Sequence, residues 1–219
     1  MKEINGVVPV MLTPFNEQNE IDWPGLERLI EWYVQKGVDA LFAVCQSSEM
    51  QFLSLQERVQ LGRFVVEKTA GRVPVIVSGH ISDDIDGQRE ELLAMADTGA
   101  DALVLVTNHL DPKNQGSEVF YATLQNLLDA LPQSLPLGLY ECPAPYRRLL
   151  TDDEFSWCAR SGRFRGTEGR KLRSGHGKTP RGAGRRYAAQ HNQCQRRYRL
   201  ARHAGRFKRL QRGVYQFPS

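Results

Sequence analysis

The sequence predicts an α/β protein over residues 1–162, and three observations predict it. Short apolar runs rich in β-branched residues alternate with amphipathic stretches. A pentapeptide recurs where helix should give way to strand. Two Ser/Thr-x-x-Glu patterns stand in front of amphipathic stretches, as helix starts do.

The expected strands are Gly6–Leu12, Ala40–Cys45, Val75–Ser78, Ala102–Thr107 and Pro136–Tyr140. Their continuous apolar character suits a parallel sheet. Between the first two, Asp22-Trp23-Pro24 starts a helix that carries Leu26, Leu29, Ile30, Tyr33 and Val34 at helical spacing. Ser54 with Glu57 precedes a helix bearing Phe64 and Val65, and Thr151 with Glu154 precedes Phe155 and Trp157. Leu92–Ala96 and Leu124–Leu131 complete the helices. Gly37-Val38-Asp39-Ala40-Leu41 and Gly99-Ala100-Asp101-Ala102-Leu103 repeat one junction, a glycine that ends a helix before an apolar strand. Five βα units follow, which allow a doubly wound sheet or a (β/α)8 barrel. No Gly-x-Gly-x-x-Gly follows the first strand, which argues against dinucleotide binding.

Charge divides the chain. Residues 1–162 hold 12 Lys+Arg against 24 Asp+Glu; residues 163–219 hold 17 against the single acid Glu168, and the net +4 conceals the contrast. Residues 1–162 are therefore expected to form a folded domain and 163–219 a disordered basic tail. No apolar run reaches the roughly 18 residues of a membrane span, and Met1–Gly6 is not the start of a secretory signal. Cys45, Cys142, Cys158 and Cys194 are widely spaced without a Cys-x-x-Cys pair, as thiols are in a reducing cytoplasm, which is the expected location.

Gly6-Val7-Val8-Pro9-Val10-Met11-Leu12-Thr13-Pro14-Phe15 resembles the first strand of the dihydrodipicolinate synthase / N-acetylneuraminate lyase family. Glu49 and Leu53-Ser54, Gly99-Ala100-Asp101-Ala102, and Tyr140 with Pro143 extend the resemblance over residues 4–160. It implies an incomplete (β/α)8 TIM barrel. It also implies a homotetramer and a cofactor-free class I lyase or aldolase, in which a sixth-strand lysine forms a Schiff base with pyruvate or another 2-keto acid. By the same resemblance Tyr140 relays protons to the bound keto acid. Ser47, with Gln46 and Ser48 beside it, matches the family's Gly-Thr-Thr-Gly-Glu loop, which holds the substrate carboxylate. Taken alone, Tyr140 reads as a strand-end tyrosine with a wet hydroxyl, and Ser47 as turn chemistry.

Two departures bear on substrate. Asn108-His109-Leu110 stands where the family has Pro-Tyr-Tyr, and Pro145 stands where it has an arginine that reads a second carboxylate, with Arg147 close by. These imply another aldehyde partner. His80, His109, Glu49 and Glu141 at strand ends form an alternative, metal-binding set; the bland reading is polar pocket lining.

The family's Gly-x-Lys-Asp/Glu strand is missing. Lys171 and Lys178 lie among Gly, Arg and Ser, not on an apolar strand that could desolvate an amine. Yet Gly166–Lys171 can be written GGG ACT GAA GGA CGT AAG, which one base later reads Gly-Leu-Lys-Asp-Val. The same offset lets Gln195–Leu200 encode Asn-Ala-Ala-Ile-Ala-Trp and Gly213–Pro218 encode Val-Phe-Thr-Asn-Phe-His. A frame displacement between Trp157 and Gly166 is the expected origin of the tail. The chain is then expected to be inactive, with exposed sheet edges prone to aggregation. The alternative is an arginine-rich, RNA-binding arm with Tyr187, Tyr198, Phe207 and Tyr215 interleaved.

Overall fold

The structure is a computed structural model that describes residues 4, 6–143 and 146–168. Helices and strands alternate: α1 (Trp23–Gln35), β1 (Leu41–Ala43), α2 (Leu55–Thr69), β2 (Val75–Val77), α3 (Ile85–Ala96), β3 (Ala102–Val106), α4 (Ser117–Ala130), β4 (Leu137–Tyr140), α5 (Asp152–Arg160) and β5 (Phe164–Glu168). The expected helix starts are where local chemistry puts them. Asp22 accepts the Gly25 N–H, and Ser54/Glu57 and Thr151/Glu154 close reciprocal capping boxes.

The sheet is parallel throughout, in the order β1-β2-β3-β4-β5. A doubly wound sheet would reverse its order part-way; this one runs in chain order and is wound in one direction. Its two faces bury different things. Leu41, Val77, Leu105 and Leu139 pack with helix residues such as Leu61, Leu92 and Leu124, whereas Phe42, Val104 and Tyr140 form a second cluster without a helix residue. The second face curls inward. β1 and β4 are three strand steps apart, about 14 Å in a flat sheet, yet the Phe42 and Tyr140 rings meet edge-to-face with centroids 6.5 Å apart. That curvature belongs to a barrel wall, and the second face is its interior.

The repeated pentapeptide has a structural purpose. Gly37 and Gly99 adopt φ of +73° and +83° after α1 and α3, the left-handed step that turns each helix toward its strand. Asp39 then accepts the Val7 N–H at 2.6 Å, and Asp101 accepts the Val75 N–H at 2.8 Å. Asp101 thus satisfies the first amide of β2, and Asp39 an amide at the start of the segment that bridges to β1.

Two expectations are corrected. Gly6–Leu12 is not a full strand: it joins β1 through one parallel bridge, Val10 to Phe42, with Met11 N–H bonded to Phe42 O. Exposed Val7 and Leu12 flank that bridge, while Val8 and Val10 pack on the second cluster and Met11 is buried in the first. Beyond residue 162, where no strand was expected, Phe164–Glu168 extends the sheet. It lacks an apolar run because the outer edge of β4 supplies the ladder, and backbone pairing asks little of side-chain type. The remainder of the basic segment, residues 169–219 with Lys171 and Lys178, lies outside the described residues, as does Pro145.

Candidate functional site

The C-terminal strand ends carry the groups with chemistry, as they do in barrels. The chain leaves β1 through Val44, a buried β-branched residue at φ +47°, and reaches Glu49 at φ +62°. Two non-glycine residues in left-handed conformations within six positions mark a segment whose shape is imposed by its surroundings. Ser48 imposes much of it. Its hydroxyl accepts the Cys45 N–H at 2.6 Å and donates to Cys45 O at 2.7 Å, while Thr13 donates to Ser48 O at 2.8 Å. Ser48 is buried with its hydroxyl engaged on backbone; Ser47 is exposed at the turn. The half-buried Gln46 accepts from the Cys142 thiol, so the loops after β1 and β4 meet across the mouth of the interior.

Tyr140 ends β4, half-buried, with its ring in the interior cluster. The next strand is in register with it: Gly138 pairs with Gly166 and Tyr140 with Glu168. Position 168 therefore lies on the strand beside Tyr140. Ser78, two residues past the interior Ile76, buries a hydroxyl with no hydrogen-bond partner among the described residues. Only its alternation with Ile76 could have pointed to it.

The loop after β4 is pinned by charge. Arg148 is buried, with Nε 3.0 Å from Asp111 Oδ2, Nη2 2.7 Å from Glu154 Oε1, and its guanidinium over the Phe120 ring. Burial disfavours the Asp111 and Glu154 carboxylates. The Gln115 and Gly116 amides with Arg148 for Asp111, and Arg148 with the Thr151 amide for Glu154, outweigh it and hold both below the usual range. Thr107 donates to Arg148 O at 2.7 Å, Asn108 donates to Tyr146 O at 3.0 Å, and the Tyr146 hydroxyl donates to Asp111 O. Arg147, the arginine expected to meet substrate, is exposed beside this network.

Three members of the alternative metal set are engaged elsewhere. His80 accepts the Val106 N–H at 2.7 Å, His109 lies 3.3 Å from Asp83, and Glu141 accepts the Leu150 N–H at 2.9 Å. No three His, Cys, Asp or Glu side chains among the described residues are placed to hold a metal ion. Two open grooves lie away from this end, between α4 and α5 beside Trp157 and Arg163, and at the strand entries beside Asp101 and Pro136.

The model of the dihydrodipicolinate synthetase family matches residues 3–145. The chain belongs to this family. As a family member it is 35% identical over 141 residues to 4-hydroxy-tetrahydrodipicolinate synthase of Methylococcus capsulatus, covering 64% of this chain and 46% of that protein. The Cellvibrio japonicus enzyme of the same name is 33% identical, over 60% of this chain and 45% of that protein. Among solved structures, the chloride-inhibited dihydrodipicolinate synthase of Acinetobacter baumannii, complexed with pyruvate, is 30% identical. It superposes with a TM-score of 0.57 over 64% of this chain and 46% of that one. YagE of Escherichia coli K12, a family member also in complex with pyruvate, gives 0.63 at 27% identity, over 71% and 51%. The family chain described here thus spans about half the length of the curated relatives it matches. No helix among its described residues is long and apolar enough to cross a membrane.

Proposed function

We propose that this chain is the leading part of a cofactor-free, cytoplasmic Schiff-base lyase for a 2-keto acid, and that as encoded it is inactive. The observation that carries the reading is the register of Tyr140 with position 168. In the family this chain belongs to, an amine and a proton-relaying hydroxyl on neighbouring strand ends would put the imine where a proton can be delivered. Tyr140 is the proposed hydroxyl; the residue at the amine's place is Glu168, a residue type without an amine. Ser47 and Gln46 on the β1 turn are the proposed carboxylate-holding groups, and Arg147 is the proposed partner of a second substrate anion. Ser48 supports them through the Cys45 backbone. A tetramer, as the family resemblance implies, would require the barrel to be complete.

The one-base offset puts a lysine at that same position. Removing one base between codons 157 and 166 turns Gly166-Thr167-Glu168-Gly169 into Gly-Leu-Lys-Asp, provided codons 166–169 read GGG ACT GAA GGA and codon 170 begins with C. The gene is expected to carry this run. Codon GAG at 168 gives arginine instead of lysine and sinks the frame-displacement reading. Borohydride trapping with pyruvate tests the chemistry: the encoded chain is expected to give no mass adduct, and the frame-restored protein an adduct on residue 168. An adduct on the encoded chain overturns its inactivity; none on the frame-restored protein overturns the lyase reading.

A second reading, polyanion binding, rests on the 17 Lys+Arg against one acid from residue 163 onward. Counterion release rewards such charge whether or not it was selected. Binding to RNA is expected to vanish by roughly 0.2 M salt and to lack sequence preference. Sequence-selective retention in a filter-binding titration at that salt would favour a dedicated RNA-binding arm instead.

A further inference from the structure

β3 outruns β2 at the mouth of the barrel. β2 pairs with β3 only at Ile76–Ala102 and Val77–Leu103, after which Ser78 bonds back to Val44 O and the chain turns at Gly79, φ +104°. A Cβ at Gly79 would lie 2.6 Å from Met95 Cγ, so the turn is closed to other residues. In a parallel ladder alternate amides face alternate neighbours. Leu103 and Thr107 bond toward β4, through Pro136 O and Tyr140 O, so the Val106 N–H faces β2, where there is no longer a strand. His80 fills the gap: it is fully buried, and its Nε2 accepts that N–H at 2.7 Å. An imidazole side chain stands in for a strand carbonyl.

Only a neutral Nε2 has the lone pair for this bond, so the proton resides on Nδ1. We propose that His80 is an acid-released latch: neutral, it ties the ends of β2 and β3 together, and a proton on Nε2 frees the loops 79–83 and 107–111 together. The surroundings favour this outcome over tolerance of the charge. The ring of His109, on the loop after β3, lies 5.3 Å from that of His80, and Arg58 on α2 presents a cation. Gln88 on α3 is the one group that favours protonation, and it also donates to His109 O at 2.8 Å. The acids close by are occupied: Glu91 on α3 by Arg58, and Asp83 by His109. Burial first, and His109 next, push the His80 imidazolium down to about 3.

The consequence reaches the candidate site. The loop after β3 holds the loop after β4 through Thr107, Asn108 and Asp111. Releasing the β3 end therefore loosens the support of Tyr140 without breaking the sheet beneath.

Amide hydrogen exchange on the full chain tests the latch. Between pH 6.5 and 4.5 the Val106 protection factor is expected to fall about tenfold per pH unit, the slope of one linked proton. Leu41 and Leu103, bonded to Pro74 O and Pro136 O, exchange through global unfolding and should stay the better protected at every pH. His80→Gln keeps an acceptor at that reach without titrating, and should abolish the slope. A flat Val106 profile in the native chain overturns the latch. So does a Val106 protection factor equal to those of Leu41 and Leu103 throughout, which is global unfolding, or an unchanged slope in His80→Gln. Should that variant not fold, the native comparison decides alone.

Discussion

Arg148→Met is expected to lower stability by about 3–5 kcal/mol, enough to unfold much of a marginally stable domain. The change removes one cation and strands two anions. Asp111 and Glu154 are both fully buried, and both depend on that guanidinium. The size of the effect comes from the carboxylates left behind, not from the net worth of the pairs. Arg148→Met combined with Asp111→Asn and Glu154→Gln should therefore recover a large part of the loss. Arg147→Met, at an exposed neighbour, should stay within about 0.5 kcal/mol. Urea denaturation followed by circular dichroism separates the three. Equal losses for Arg147→Met and Arg148→Met would refute the buried-network account. Its pH sign is fixed too: both carboxylates titrate lower in the fold than in the unfolded chain. Their contribution is present above the ordinary carboxylate range and is lost as pH falls through their lowered values. His80, also depressed, acts earlier. Its cost begins as pH drops below about 6.5, where the unfolded chain takes up a proton that the fold refuses.

Glu91→Leu is expected to cost a similar amount, about 3–5 kcal/mol, by a different route. One carboxylate there serves four donors: both terminal nitrogens of the buried Arg58 at 3.0 Å, and the backbone N–H groups of Ile81 at 2.8 Å and Ser82 at 3.0 Å. Arg58 in turn donates to Gly79 O. The acid thus shapes the loop that carries His80, and its loss leaves a buried cation and two orphaned amides. Glu91→Gln retains one acceptor and should cost about half as much. Arg58→Met with Glu91→Leu removes the stranded charge but not the orphaned amides, so it should recover only part. Full recovery in thermal denaturation would show that the amides contribute nothing.

Neither network could be read from spacing. Glu154 is visible in the sequence as the third residue of a capping box, and it does accept the Thr151 N–H at 2.9 Å. Its bonds to Arg148 depend on where the loop after β4 folds back. Arg147 and Arg148 are equivalent as neighbouring letters; the turn of the backbone exposes one and buries the other. Ser47 and Ser48 divide the same way. The long-range partners of His80 needed the whole β3 strand to overrun β2 before an unpaired amide existed to be met.

Local grammar and family are legible in the letters alone: helix starts at Asp22, Ser54 and Thr151, glycines at the helix ends, apolar strands in parallel order, and the first-strand motif. These depend on contacts within a few residues, and local chemistry is enough to specify them. Long-range packing settles which face each strand residue takes, how far the sheet curls, and that Phe164–Glu168 continues it. The same is true of the pairing of position 168 with Tyr140. Such features are pairings across about 26 to 96 positions of chain, and a pairing of that kind exists only once backbone hydrogen bonds must be satisfied in a closed interior.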